Sequence, residues 1–149
     1  MPLLEIKNLK TFFKTKKGIV KAVNDVSYSL EAGKTIGIVG ESGSGKSVSA
    51  MSILRLLDGN GYIDSGSIQF EGKELTTLSM DEMYALRGNA ISVIFQEPMT
   101  SLNPVFKIGQ QVNEVLELHH PDMTEEEVKA RTLEMLELVG IANKEGVYD

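Results

Sequence analysis

Leu4 and Ile6 alternate with the charged Glu5 and Lys7, and Val26, Tyr28 and Leu30 each stand between polar neighbours. Period-two alternation predicts strands with one buried face, and the Lys17-Gly18 turn between the two runs predicts that they pair antiparallel. Ile68 and Phe70 give a third short piece of the same kind. Two further segments break the alternation. Thr35-Ile36-Gly37-Ile38-Val39 and Ile91-Ser92-Val93-Ile94-Phe95 are nearly continuous in apolar residues, the pattern of strands buried on both faces. Gln96-Glu97-Pro98 closes the second of them.

Elsewhere the period is helical. Ala50, Ile53, Leu54 and Leu57 recur at helix spacing after a glycine-rich loop, and Asp58-Gly59-Asn60-Gly61 stops that helix. Ser79 with Glu82 forms a capping box that opens a short helix. Ile108, Val112, Val115 and Leu116 make the apolar face of another. Thr124 and Glu127 make a second capping box, with Leu133, Leu136 and Gly140 behind it. The predicted order is antiparallel strands, a strand–loop–helix unit, a further strand, then helices. No internal repeat or low-complexity segment interrupts it.

Composition adds bounds. The 149 residues suffice for one domain with its own core, and an apolar content of 42% with a net charge of −6 is that of a folded, soluble chain. Cysteine is absent, which excludes disulfide and thiolate–metal frameworks and suits a reducing cytoplasm. No apolar run approaches membrane-span length, and "MPLLEIKNLK" lacks the layout of a signal peptide. Charge is uneven: residues 1–50 carry eight lysines against four carboxylates, and residues 110–149 carry three basic residues against ten acidic ones. The acids read as solvated helix faces. Lys14, Lys16, Lys17 and Lys21 surround Gly18 and read as a solvated hairpin tip, so no nucleic-acid partner is expected.

The strongest chemical signal is Gly40-Glu41-Ser42-Gly43-Ser44-Gly45-Lys46-Ser47, which fills every fixed position of G-x-x-x-x-G-K-[ST]. Glycines let the backbone curl until successive N–H groups point inward, and the helix after the loop adds its positive end. In such a loop Lys46 reaches the β- and γ-phosphates, and the Ser47 hydroxyl is placed for Mg²⁺. Guanine specificity is not supported. Asn143-Lys144-Glu145-Gly146 has Gly where a guanine reader needs Asp, and Asp58-Gly59-Asn60-Gly61 lies too close to the loop to end a second core strand. A small-molecule kinase stays open as a further reading, though antiparallel strands before the loop are not expected of one. The stretch "VIFQEPMTSLNP" reads either as a strand end running into a polar loop or as the setting for Gln96. In the latter, the amide would bind Mg²⁺ and orient a water near the γ-phosphate.

Together these segments resemble the ATP-binding subunits of ABC transporters, in the oligopeptide, dipeptide and nickel importer branch. "GESGSGKS" is similar to that family's Walker A loop and "FQEPMTSLNP" to its Q-loop. "LLEIKNLKTFF" with "GIVKAVNDVSYSLEAGKTIGIVG" is similar to its amino-terminal β-subdomain. The resemblance implies an α/β P-loop fold of ABC type, amino-terminal part only. Residues 1–34 and 62–78 are then mainly the antiparallel β-subdomain, 35–58 and 91–96 the core strands and loop helix, and 97–149 the Q-loop and part of the helical subdomain. It implies ATP and Mg²⁺ as ligands, Phe13 as the adenine platform with Phe12 as the competing choice, and Gln96 as the Q-loop residue. The loop from Glu97 to Pro104 and the helices beyond would face membrane subunits, with a second ATP-binding subunit alongside. The parent complex would place this chain on the inner face of the cell membrane.

The same resemblance exposes a gap. The 149 residues contain no L-S-G-G-Q-like signature, no Walker B strand ending in Asp followed by a catalytic Glu, and no switch His. His119 and His120 precede Pro121 between two helices and read as exposed helix-end residues. Hydrolysis needs the metal held, a water oriented and developing charge stabilised, so these residues are expected to bind nucleotide without turnover. Without the later strands, Thr35–Val39 or Ile91–Phe95 would present an unpaired apolar edge. A homo-oligomer or strand-exchanged dimer is the expected cover. The alternative is a non-enzymatic oligomeric fragment without stable nucleotide binding.

Overall fold

The early alternation becomes a long hairpin. In the computed structural model, which describes residues 2–97 and 101–149, β1 (Leu4–Thr15) pairs antiparallel with β2 (Gly18–Leu30). Thr15 closes the tip: its hydroxyl donates to the Gly18 carbonyl at 2.7 Å and accepts from the Lys17 amide at 3.3 Å. The tip lysines form the expected turn, with Lys14 and Lys21 resting their ammonium groups over the rings of Tyr62 and Phe12. β3 (Gly61–Phe70) pairs on the other edge of β1, and the two-residue β4 (Lys73–Glu74) pairs with β3. The sheet order is therefore β2-β1-β3-β4, antiparallel throughout.

A bulge changes the phase of β1. Asn8 and Asp25 both take left-handed backbone angles where the register shifts, and the Asn8 amide donates to Ser27 Oγ while its side chain donates to Asp25. The buried face therefore moves from Ile6 to Leu9 and Thr11. Ile6, Leu9, Ile68 and Leu75 are fully buried and form the centre of this core.

α1 (Lys46–Ile53) packs on β1 and β2, and only part of its expected apolar face is buried: Leu54, just past its end, is in the core and Ile53 is half-buried. Ala50 is exposed, while Ser49 and Ser52 are buried. Ser52 Oγ donates to the Val48 carbonyl at 2.7 Å, so its 2.8 Å bond with Thr11 has the threonine as donor. Ser49 meets the Tyr28 hydroxyl at 3.1 Å. Small side chains let the helix lie close, and their hydroxyls find partners there. The helix also ends before Asp58. Arg55 is left-handed, and the bonds Leu56 N–H to Met51 O and Arg55 N–H to Ser52 O form a Schellman ending.

Neither of the two strands expected to be buried on both faces forms. Residues 35–39 and 92–95 carry no ladder with any strand among the described residues, and Ile91 makes only an isolated bridge to Arg87. Val39 is 93% exposed and Ile94 94% exposed. No strand occurs after Phe95 among the described residues, so neither run has a neighbour to complete its sheet. Pro98, the expected end of the second run, lies outside the described residues, as do the Q-loop positions Met99 and Thr100.

The chain divides into two compact units, residues 1–84 and 85–149. Both capping boxes form: Ser79–Glu82 opens α2 (Met80–Leu86), and Thr124–Glu127 opens α4 (Glu125–Leu138). Gly140 ends α4 in a second Schellman motif. In the second unit α3 (Ile108–His119), α4 and α5 (Lys144–Tyr148) pack pairwise around Asn113, which accepts from Thr132 Oγ1 and donates to Tyr148 Oη. Val115 lies outside the expected α3 face, 49% exposed. Gly109 is buried beneath Tyr148. His119 is half-buried against Gly88 rather than exposed, and only His120 is open. The pattern also missed α5, whose first turn is held by the Asn143 side chain accepting from Gly146 N–H.

Candidate functional site

The glycine-rich loop is shaped by two left-handed residues, Gly43 and Gly45. The second has no alternative. A Cβ on Gly45 would meet the Ala22 carbonyl of β2 at 2.2 Å, so the loop is pressed backbone to backbone against the hairpin. Ser44 N–H donates to the Glu41 carbonyl and draws the loop into a turn. α1 then starts at Lys46 with no side-chain cap, which leaves the first helical N–H groups for an external acceptor.

Lys46 folds back over this turn. Its ammonium donates to the carbonyls of Gly40 and Glu41, each at 2.7 Å, and reaches Ser44 Oγ at 3.4 Å. The cation is thus held at the mouth of the loop, beside the amides that would share an anion with it. Ser47, on the first turn of α1, is exposed, as are Gly40, Glu41, Ser42, Gly43 and Ser44. A groove of about 720 Å³ runs beside the loop, between Gly40, Ser44 and Lys46 on one side and Ala22, Val26 and Tyr28 of β2 on the other.

The aromatic pair separates clearly. Phe12 is 7% exposed and meets Tyr62 edge-on, with ring centres 6.2 Å apart. Phe13 is half-buried, with its Cε1 edge against Gly61. Phe13 and the loop lie in the first unit; Gln96 belongs to the second, where it is exposed. Sequence reasoning missed the features that hold the loop in place: Ala22 against Gly45, Thr11 with Ser52, and Tyr28 with Ser49. Serines at positions 49 and 52, three apart on a helix, were the available signal. No group of three or more His, Cys, Asp or Glu stands ready for a metal ion among the described residues. No helix among them is long and apolar enough to cross a membrane.

The profile of the ABC transporter family matches residues 23–148. The oligopeptide transport ATP-binding protein AppD of Bacillus subtilis strain 168 is 46% identical over 146 residues, covering 97% of this chain and 44% of AppD. OppD of the same organism, also an oligopeptide transport ATP-binding protein, is 51% identical over 140 residues, covering 93% of this chain and 39% of OppD. The chain therefore spans less than half the length of these relatives. Among solved structures, the dimeric cassette MJ0796, described as a bacterial ABC transporter cassette, superposes with a TM-score of 0.78 at 26% identity, covering 91% of this chain and 56% of that one. A second structure of MJ0796, bound to ADP and Pi, gives a TM-score of 0.75 at 25% identity.

Proposed function

The chain belongs to the ABC transporter family, and on that premise we propose that it is the nucleotide-holding part of an ATP-binding subunit of a peptide importer. The observation that carries this reading is the loop itself: Lys46 lies across the Gly40 and Glu41 carbonyls at an uncapped helix start, with Gly45 fixed against Ala22. Such a cradle binds a polyphosphate through N–H groups, the helix end and one mobile ammonium. Phe13, the more accessible ring of the aromatic pair, takes the adenine. Mg²⁺ would arrive with the nucleotide, held by the Ser47 hydroxyl and phosphate oxygens. One hydroxyl suits an ion that keeps several of its waters, and it would help to neutralise phosphate charge.

Gln96 couples nucleotide state to the loop after it, and that loop with the α3–α5 unit docks on membrane subunits at the inner face of the cell membrane. A second ATP-binding subunit completes the pair; the dimeric form of the MJ0796 cassette supports this arrangement. The 149 residues supply the cradle and one hydroxyl for the metal but no acidic metal partner or general base in the family's pattern, so they bind ATP without turning it over. A second reading, a non-enzymatic oligomer, draws support from the exposed Val39 and Ile94.

The test is an equilibrium titration of the purified chain with ATP, with and without Mg²⁺, while γ-phosphate release is monitored. Lys46→Ala should weaken ATP by about 30- to 100-fold, the effect of losing a charged hydrogen-bonding partner. Equal affinity in the two proteins would favour the oligomer, and phosphate transfer to a small acceptor would indicate a kinase.

A further inference from the structure

A base stacks well only on a ring held at a fixed height and tilt, and the structure shows what holds Phe13. The β1–β3 ladder ends at the pair Phe13–Gly61. One residue further, Lys14 N–H donates to the Asn60 carbonyl at 3.0 Å, and the Asn60 side-chain amide donates to the Lys14 carbonyl at 3.0 Å. Asn60 thus satisfies both backbone groups of Lys14 on that edge and extends the strand by one residue. Gly61 N–H closes a tight turn onto the Asp58 carbonyl at 2.7 Å.

Gly61 is not left-handed, so its backbone angles do not demand glycine. The space does. A Cβ at position 61 would lie 2.7 Å from Phe13 Cε1, 3.1 Å from Leu57 Cβ and 3.2 Å from the Asp58 carbonyl. The ring itself occupies the volume a side chain would need. Phe12 has no such freedom to replace it, being buried against Tyr62.

We propose that Asn60 and Gly61 are positioning residues for base recognition: the turn after α1 sets the seat of the Phe13 ring and so the adenine share of nucleotide affinity. The inference rests on the proposed role of Phe13. Two roles divide within the first unit. The start of α1 holds the phosphates, and the segment leaving its other end seats the ring. Altering that segment should change recognition of the base and leave recognition of the phosphates intact.

The experiment titrates the full 149-residue chain with ATP and, separately, with inorganic tripolyphosphate, both with Mg²⁺. The proteins are the unsubstituted chain, Phe13→Ala, Gly61→Ala, Asn60→Ala and the double variant Phe13→Ala/Gly61→Ala. Phe13→Ala should weaken ATP by about tenfold, within the range of aromatic–base stacking. Gly61→Ala should weaken it by about three- to tenfold and Asn60→Ala by about twofold, part of the same stacking contribution. Tripolyphosphate affinity should not change in any of them, which also reports a folded loop. On the Phe13→Ala background, Gly61→Ala should have no further effect. If Phe13→Ala weakens ATP while Gly61→Ala and Asn60→Ala do not, the positioning role is wrong and the platform stands. An equal loss of ATP and tripolyphosphate in Gly61→Ala, or an added loss in the double variant, also overturns it by showing a general disturbance. Unchanged ATP affinity in Phe13→Ala, or no ATP binding by the unsubstituted chain, overturns the platform and the inference together.

Discussion

The hairpin β1–β2 and the run Thr35–Val39 are close neighbours in sequence and rich in β-branched or aliphatic residues, yet they end in opposite states. In the hairpin, strands of twelve and thirteen residues pair across a two-residue turn, and β3 returns to cover the other edge of β1. In the run, Ile36, Ile38 and Val39 remain exposed and no ladder forms. Composition does not separate them; the source of the partner does. An antiparallel strand finds its neighbour across a tight turn, whereas a strand of a parallel sheet needs one delivered by a crossover of a dozen residues or more. Among the described residues, every element after the second apolar run is a helix, so neither run has such a neighbour.

The sharpest test of this contrast is a pair of truncations. Ile68 is fully buried on β3, and Ile68→Ala should cost about 2–5 kcal/mol through lost transfer energy and the cavity it leaves. Val39→Ala should change stability by less than about 0.5 kcal/mol, the usual limit for an exposed position. Urea denaturation of both variants measures the difference. Comparable losses would mean that the 35–39 run is packed in solution, and the contrast would then fail.

The next effect concerns how α1 is held while the run leading into it is not. Thr11 donates to Ser52 in a fully buried pair. Ser52→Ala strands the Thr11 hydroxyl and should cost about 1–3 kcal/mol, the penalty for a buried polar group without its partner. Removing both hydroxyls, as Thr11→Val with Ser52→Ala, should recover most of that loss, because neither group is then left unsatisfied. A double-mutant cycle by thermal or denaturant unfolding reads the coupling. Strict additivity would mean that the sheet does not hold the helix through this contact.

These contrasts explain what could be read in the residues. Leu4, Ile6, Val26 and Tyr28 announced their strands because each partner is close in sequence and one face is wet. The boxes Ser79–Glu82 and Thr124–Glu127 were legible because a cap is a contact between residues three apart. The phosphate loop was legible because Gly43, Gly45 and Lys46 must stand at fixed spacing. The misses have the opposite character. The phase change at Asn8 depends on Ser27 and Asp25 across the hairpin, and the buried face of α1 depends on Thr11 and Tyr28. The early end of α1 turns on Arg55 taking a conformation usually left to glycine. The seat of Phe13 depends on Gly61, far along the chain and across the sheet.

The smallest expected effect tests how little is needed to close an edge locally. β4 has only two residues, and the side chain of Glu74 strengthens its attachment to the sheet. One oxygen of that carboxylate accepts from Ile68 N–H at 3.0 Å, Thr76 N–H at 3.2 Å and Thr76 Oγ1 at 2.6 Å; the other accepts from Ser67 Oγ. Burial alone would raise its pKa, but the hydrogen bonds from Ser67, Thr76 and the Ile68 and Thr76 amides outweigh it and hold the carboxyl below its ordinary value. A lowered folded pKa means that the bracket stabilises fully above the unfolded value and that this contribution fades as pH falls through the folded one. Glu74→Gln keeps the shape but loses the charge. It should lower stability at pH 7 by about 1 kcal/mol, a modest figure because the group is partly solvated. The gap between variant and parent should narrow as the parent titrates below the ordinary carboxylate range. Denaturant midpoints across acid pH measure it. A gap constant down to about pH 3, below the ordinary carboxylate range, would show that geometry and not charge closes this edge.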